Sequence, residues 1–548
     1  MAQATKGRGA QLGGRPNPQW LAWGRGLNPL WVRSCISLGH SEVSSLIQRE
    51  EWDDLANYIE EHWVELTHSH RESLVSALNA MPAALWKSNA RFAAAHEYAN
   101  FIPARGAARP TRYQHAPGAE EGLLDTLARL TSQSAGARMV GRFDDAVAAA
   151  EEALRVLRQS PAAATQAIRP VLPDLRLQWA ISLQLGGRLS EAVRAYERAY
   201  DEAIRHDNTR IAVEAAGTIA FDFAILGMPT QAREWLARVP VYVHDGSDTV
   251  HEMAALAAAL LATHELDLDE AGRILADTPA VSSETWAMRF FAESSVESIR
   301  GSNETFATTL FALRAAHPAA LSASGLNDIL LRIAAAEAAL QTNEPARADI
   351  VFADLAARAS TLPPGVLEPL RAWRAIADDD LSAAFVIASG PLSEGTASPG
   401  VAAELRAVLA VVHLRHDQRD DAVAQYVACR KIVSDERLFD VLHRVAPDDL
   451  DRLEQLSGQP IPPAARAALA SSPPRVRRPR RTAARLTPRE IIVLRHLVQG
   501  RSRAEIAHAE NLSQNTIKTQ TTSIYRKLNV TNRDGVVRAV MASPGLLR

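Results

Sequence analysis

The sequence predicts an all-α protein in two parts, an array of paired helices followed by a small four-helix domain. Three observations carry this. Hydrophobic residues make up 47% of the chain but aromatics only 5%, as in cores built from Ala, Leu and Val. A Gly-turn-Ala phrase recurs through the body at helical spacing. The last 63 residues contain four short helical segments, one of them polar and rich in Thr. At 548 residues the chain is too long for one core.

Residues 1–35 contain GRGAQLGGRPNPQ and three Trp (Trp20, Trp23, Trp31). They lack the continuous apolar segment of a secretory signal and are expected to be a disordered extension or sequence upstream of the true start. No stretch approaches about 18 uninterrupted apolar residues, so no membrane span is expected. Cys35 and Cys429 stand far apart without metal-ligand spacing, against a disulfide framework or zinc site. These features point to a cytoplasmic protein.

Residues 36–456 form the predicted array. GRFDDAVAAAEEAL, GRLSEAVRAYERAY and GMPTQAREWLARV surround Ala146, Ala192 and Ala232, each five residues after a glycine (Gly141, Gly187, Gly227). Weaker echoes surround Ala271, Ala384 and Ala422. Spacings of 46, 40 and 39, and of 38 for the last pair, imply a repeated helix-turn-helix unit. A small Ala admits close approach of the partner helix, while Tyr196 or Tyr426, one turn on, is expected to fill the gap beside the next unit. With Ala199, these positions resemble tetratricopeptide (TPR) repeats, although the periods exceed that family's length of about 34 residues. Such a TPR-like α-solenoid is curved, and its inner face either binds an effector (peptide, protein or small molecule) or merely spaces or dimerises the protein.

Residues 457–485 contain six prolines and then Arg475, Arg477, Arg478, Arg480 and Arg481. The prolines deny continuous helix, so a tether is expected, on the order of 30 Å if flexible. Its arginines either track phosphates or simply keep it solvated.

Residues 486–548 form the second part. From Arg475 onward there are 16 Lys and Arg against 4 Asp and Glu, net +12, which leaves −15 for everything before. A basic tail on an acidic body directs a polyanion to the tail. The first helix is predicted to start at Thr487 as N-cap with Pro488 at the first helical position, and to stop at Gly500. RAEIAHAE is a short second helix. Ser513 is the expected cap of a third, which runs through QNTIKTQTTSIYRK to about Leu528, and VVRAVMA belongs to a fourth.

At 100° per residue from Ile517, the third helix places Thr521, Ile524 and Leu528 at about 40°, 340° and 20°, a core stripe. Asn515, Thr519, Thr522 and Arg526 fall at about 160°, 200°, 140° and 180°, with Lys518 at about 100°, so the opposite face is polar and cationic. A helix of this kind fits the DNA major groove, where Lys and Asn address base edges and Thr offers a hydroxyl and a methyl.

L-T-P-R-E at 486–490, Gly500, E-I-A at 505–507, L-S at 512–513, T-I-K at 516–518, Ile524, K-L-N-V at 527–530 and Arg533 together resemble the LuxR-type helix-turn-helix output domain. The resemblance implies that the third helix reads double-stranded DNA. Asn515, Thr516, Lys518, Thr519, Gln520, Thr522, Arg526 and Lys527 would be its contacts, with Lys518, Thr519 and Thr522 on bases. Val537 and Val540 of the fourth helix would join a homodimer on DNA, and RNA polymerase is an implied further partner. Gln520, Ile492 and Val536 depart from the residues common in that family. The whole arrangement is similar to maltose-activator-like regulators but lacks their ATPase module. Only five lysines occur (Lys6, Lys87, Lys431, Lys518, Lys527), and none follows Gly as a P-loop requires.

No catalytic residue, metal site or cofactor is expected. His96-Glu97, His251-Glu252 and His264-Glu265 lack the second His of a zinc-protease helix, and there is no G-x-S-x-G. The expected function is therefore sequence-specific transcriptional regulation. The competing expectation is a helical scaffold whose last domain docks on protein.

Overall fold

A computed structural model describes residues 42–62, 66, 71–88, 92, 96, 122–239, 252–278, 284–301, 325–342, 350–353, 355, 365–471, 487–510, 512–527, 530 and 532–542. The 1–35 extension, the arginines at 475–481 and Leu528 lie outside these residues. Among the described residues every regular element is helical, with no strand. The all-α expectation holds.

The body is built from antiparallel helix pairs. Six pairs carry the Ala-centred phrase: Leu123–Met139 with Phe143–Gln159, Leu172–Leu185 with Leu189–Arg205, Thr209–Ile225 with Pro229–Leu236, Glu252–His264 with Leu268–Asp277, Glu368–Ala377 with Leu381–Glu394, and Pro399–Arg415 with Arg419–Glu436. In each, the anchor Ala (146, 192, 232, 271, 384, 422) is the fourth residue of the second helix and has no exposed surface. A side chain larger than a methyl there would push the paired helices apart.

The turns are identical in kind. Five residues before each anchor, the backbone enters the left-handed region: Gly141 (φ 76°), Gly187 (80°), Gly227 (68°), Leu266 (63°), Asp379 (62°) and Asp417 (57°). The next amide donates to the carbonyl five residues back in all six turns, as in Arg188 N to Leu183 O at 2.9 Å and Asp380 N to Ala375 O at 2.9 Å. This is the Schellman closure, which satisfies carbonyls that the helix end would otherwise orphan and reverses the chain in three residues.

Tyr196 is fully buried, but its hydroxyl donates to Gln184 Oε1 of its own pair, at 3.0 Å. Gln184 Nε2 in turn donates to the buried Asp222 of the following pair, at 2.6 Å. The gap beside the next unit is thus bridged by amide and carboxylate rather than by the ring alone.

One large core cluster runs from Phe143 to Leu330 and a second from Ile329 to Ile461. The two clusters meet where the Pro399 helix begins: Gly400 N donates to Gly227 O at 2.8 Å, and Ser398 Oγ to Leu226 O at 2.7 Å. A Cβ on Gly400 would lie 2.8 Å from Gly227 Cα, so the approach depends on both glycines.

The stretch expected to be a tether starts with ordered packing. Pro463–Ser471 is a helix, with Pro463 at its start where no amide is required. Ile461 is buried, and Ala465 packs with Leu266 and Ile299.

Candidate nucleic-acid interface

Four helices, Pro488–Val498, Arg503–Ala509, Gln514–Lys527 and Arg533–Ala542, surround a core of Val493, Leu494, Leu497, Ile506, Ala507, Ile517, Ile524, Val536 and Val540. The first starts as the sequence predicts. Thr487 Oγ1 accepts from Glu490 N at 3.2 Å, while Glu490 Oε2 accepts from Thr487 N at 2.7 Å. This reciprocal capping box recurs at Ser502 and Glu505, where the Ser502 amide and hydroxyl hold the Glu505 carboxyl below its usual range. The S-x-x-E spacing at 502–505 signals this second box, which the cap assignments from sequence do not include.

Ser513 caps the third helix by accepting from Thr516 N at 3.1 Å. Gly500 stands at φ 93°, and a Cβ there would meet Arg533 Nη2 at 2.9 Å. Arg533 Nε donates to Leu497 O at 2.9 Å, tying the start of the fourth helix to the end of the first.

The third helix is divided as its period predicts. Ile517, Thr521 and Ile524 are at most 1% exposed, whereas Asn515, Lys518, Thr519 and Thr522 are exposed. The hydroxyls of Thr519 and Thr522 donate to the carbonyls of Asn515 and Lys518, at 3.0 and 2.9 Å. Each Thr therefore presents a methyl and acceptor lone pairs, suited to a thymine methyl or to the exocyclic amino groups of adenine and cytosine.

The remaining predicted contacts are placed differently. Thr516 is half-buried, its hydroxyl 2.8 Å from Ser513 Oγ within the cap. Gln520 is half-buried, and its Oε1 has no hydrogen-bond partner among the described residues. Lys527, expected on DNA, turns inward instead: its Nζ donates to Glu490 Oε2 at 2.6 Å, with side chains 17% and 7% exposed. A nearly dry ion pair is a poor phosphate ligand, because contacting DNA would strand Glu490. Arg526 lies on the helix, its side chain outside the described residues. Of the two predicted dimer residues, Val537 is half-buried, whereas Val540 is 6% exposed and belongs to the domain core.

The electrostatics favour an anion. Glu490 and Glu505 are held in capping boxes, and Glu510 Oε1 pairs with His496 Nε2 at 2.7 Å. Three of the tail's four acids are thus engaged by partners within the domain.

Residues 484–540 match the family model described as bacterial regulatory proteins, luxR family. No curated protein is found to match the chain. The C-terminal domain is a LuxR-family helix-turn-helix domain, and the helical body lies outside that match.

Proposed function

We propose that the chain is a sequence-specific transcriptional regulator that binds operator DNA as a dimer through its third C-terminal helix. The LuxR-family match supports a DNA-binding regulator at the domain level. The observation that carries the finer reading is the exposed row of Asn515, Lys518, Thr519 and Thr522, back to back with the buried Ile517, Thr521 and Ile524. Core burial on one side fixes the orientation of the other, and such a row reads base edges in the major groove.

The helical hairpins are read as a TPR-like platform for an effector, joined by residues 472–485 to a domain at 486–548, with packing of the body extended to Ser471. We assign the protein no catalytic role, place it in the cytoplasm and give it RNA polymerase as a further partner. No described helix is long and apolar enough to cross a membrane.

The test is selection of bound sequences from random duplexes, followed by titration at several salt concentrations. Enrichment of a two-half-site sequence, with affinity falling steeply with salt, is expected. Failure to enrich any sequence would overturn the proposal.

A further inference from the structure

The two large core clusters meet along a seam that is thinly packed. Cavities of 180 and 140 Å³ lie on it, each lined by residues of both halves. Its links are largely polar: Gly400 N to Gly227 O at 2.8 Å, Thr230 Oγ1 to Glu436 Oε2 at 2.6 Å, and Arg437 Nη2 to Glu265 Oε2 at 2.6 Å. Arg437 is half exposed, and a pair in such a setting holds weakly.

One helix crosses this seam. The root of Pro463–Ser471 is fastened to the second half: Arg430 Nη2 donates to Pro460 O at 2.6 Å, Ile461 N to Glu454 Oε1 at 2.8 Å, and Arg466 reaches both Asp451 and Glu454. Its apolar face is Ala465, Ala468 and Leu469, which share one side at helical spacing. Ala465 packs on Leu266 and Ile299 of the first half, in a small cluster that also takes in Leu268 from the first half and Phe439 from the second. This cluster is separate from both large cores, and it is apolar where the links listed above are polar.

Leu266 is out of place unless this contact matters. Among the six hairpin turns, the left-handed residue is Gly in three and Asp in two, whereas Leu266 carries a bulky side chain at φ 63°. Glycine would make the same turn without strain. What the leucine gains is burial, at 7% exposed, against Ala465 and Ile299. Backbone strain kept for a contact points to a role for that contact.

We propose that the helix Pro463–Ser471 is a latch, which clips the second half of the body onto the first and, while closed, fixes the point from which the C-terminal domain is tethered. Only fourteen residues, 472–485, separate its end from that domain. Release of Ala465 from Leu266 lets the seam open and moves the origin of the tether. An effector that prefers one arrangement would shift the balance between them. This last consequence rests on the proposed regulatory function; the latch itself does not.

The seam has a built-in reporter. Gly400 is the second residue of the Pro399–Arg415 helix, so its amide has no partner within that helix. Its protection from exchange comes from Gly227 O, across the seam. The experiment is hydrogen exchange on the full chain without DNA, read at single amides by fragmentation mass spectrometry. Leu266→Gly removes the latch contact from the first half, and a glycine is at home in that turn, so this variant should fold. Ala465→Asp removes it from the other side. Both are expected to speed exchange at Gly400 N by about tenfold or more, while Arg188 N, bonded within its own hairpin to Leu183 O, keeps the native rate. Ala467→Asp, exposed on the same helix, should leave Gly400 N unchanged. Leu266→Gly carries the test even if Ala465→Asp fails to fold. Native exchange at Gly400 N in either folded latch variant, or equal acceleration by Ala467→Asp, would overturn the proposal. Absence of an operator would sink the proposed function and leave this result standing.

Discussion

The ammonium of Lys527 reaches Glu490 across the C-terminal domain at 2.6 Å, joining the last turn of the third helix to the first turn of the first. Burial alone would raise the Glu490 carboxyl. Lys527, the Thr487 amide and the Ser523 and Thr487 hydroxyls together reverse that and hold it at about 2. A depressed carboxylate contributes stability that is present above its unfolded pKa, near 4.5, and lost as pH falls toward 2. Lys527→Met is expected to destabilise the domain by about 3 kcal/mol at pH 7, with the difference from wild type shrinking between pH 4.5 and 2. Denaturant unfolding across that range measures it, and a pH-independent difference would contradict the assignment.

Lys518 and Arg526 should separate base reading from backbone contact. Lys518→Ala is expected to cost about 1 to 3 kcal/mol on the specific duplex and much less on a scrambled one. Arg526→Ala should weaken both alike and lower the slope of log K against log salt by about one. Titration on both duplexes at several salt concentrations decides this. Equal losses for Lys518→Ala would place that lysine on phosphate.

The two valines of the fourth helix are expected to diverge. Val540 is a core residue, so Val540→Asp should unfold the domain by about 3 kcal/mol or more. Val537 is only half-buried, and Val537→Asp should leave the domain folded but reduce a two-half-site complex from two chains to one. Circular dichroism and the mass of the complex report the two effects. An unchanged stoichiometry would remove Val537 from the dimer contact.

The left-handed turns give opposite signs for two exchanges. Gly187→Ala is expected to cost about 1 kcal/mol, because a Cβ is strained at φ 80°. Asp379→Gly, exposed at φ 62°, should stabilise by about 0.5 to 1 kcal/mol. Leu266 also stands at positive φ but is buried against Ile299 and Ala465, so lost packing would offset any relief in Leu266→Gly. Thermal midpoints of the three variants test the ordering.

What the sequence determined by itself is what neighbours in the chain decide. A cap reaches its amide within three residues, a turn glycine serves its own helix end, and a period of 3.6 sorts one helix into two faces. Thr487, Gly187 and the Ile517–Thr521–Ile524 stripe were therefore legible, as were the outward Asn515, Lys518, Thr519 and Thr522. The same turn at Leu266, Asp379 and Asp417 was not, since nothing in those side chains asks for positive φ; the packing of the paired helices imposes it. Tertiary structure alone decided that Lys527 meets Glu490, that Val540 enters the core, that Gly400 lies on Gly227, and that Glu337 and Glu404 converge on Arg444. Each of these joins residues far apart in sequence, and which distant partner a side chain finds depends on how the helices stack, which no local pattern encodes.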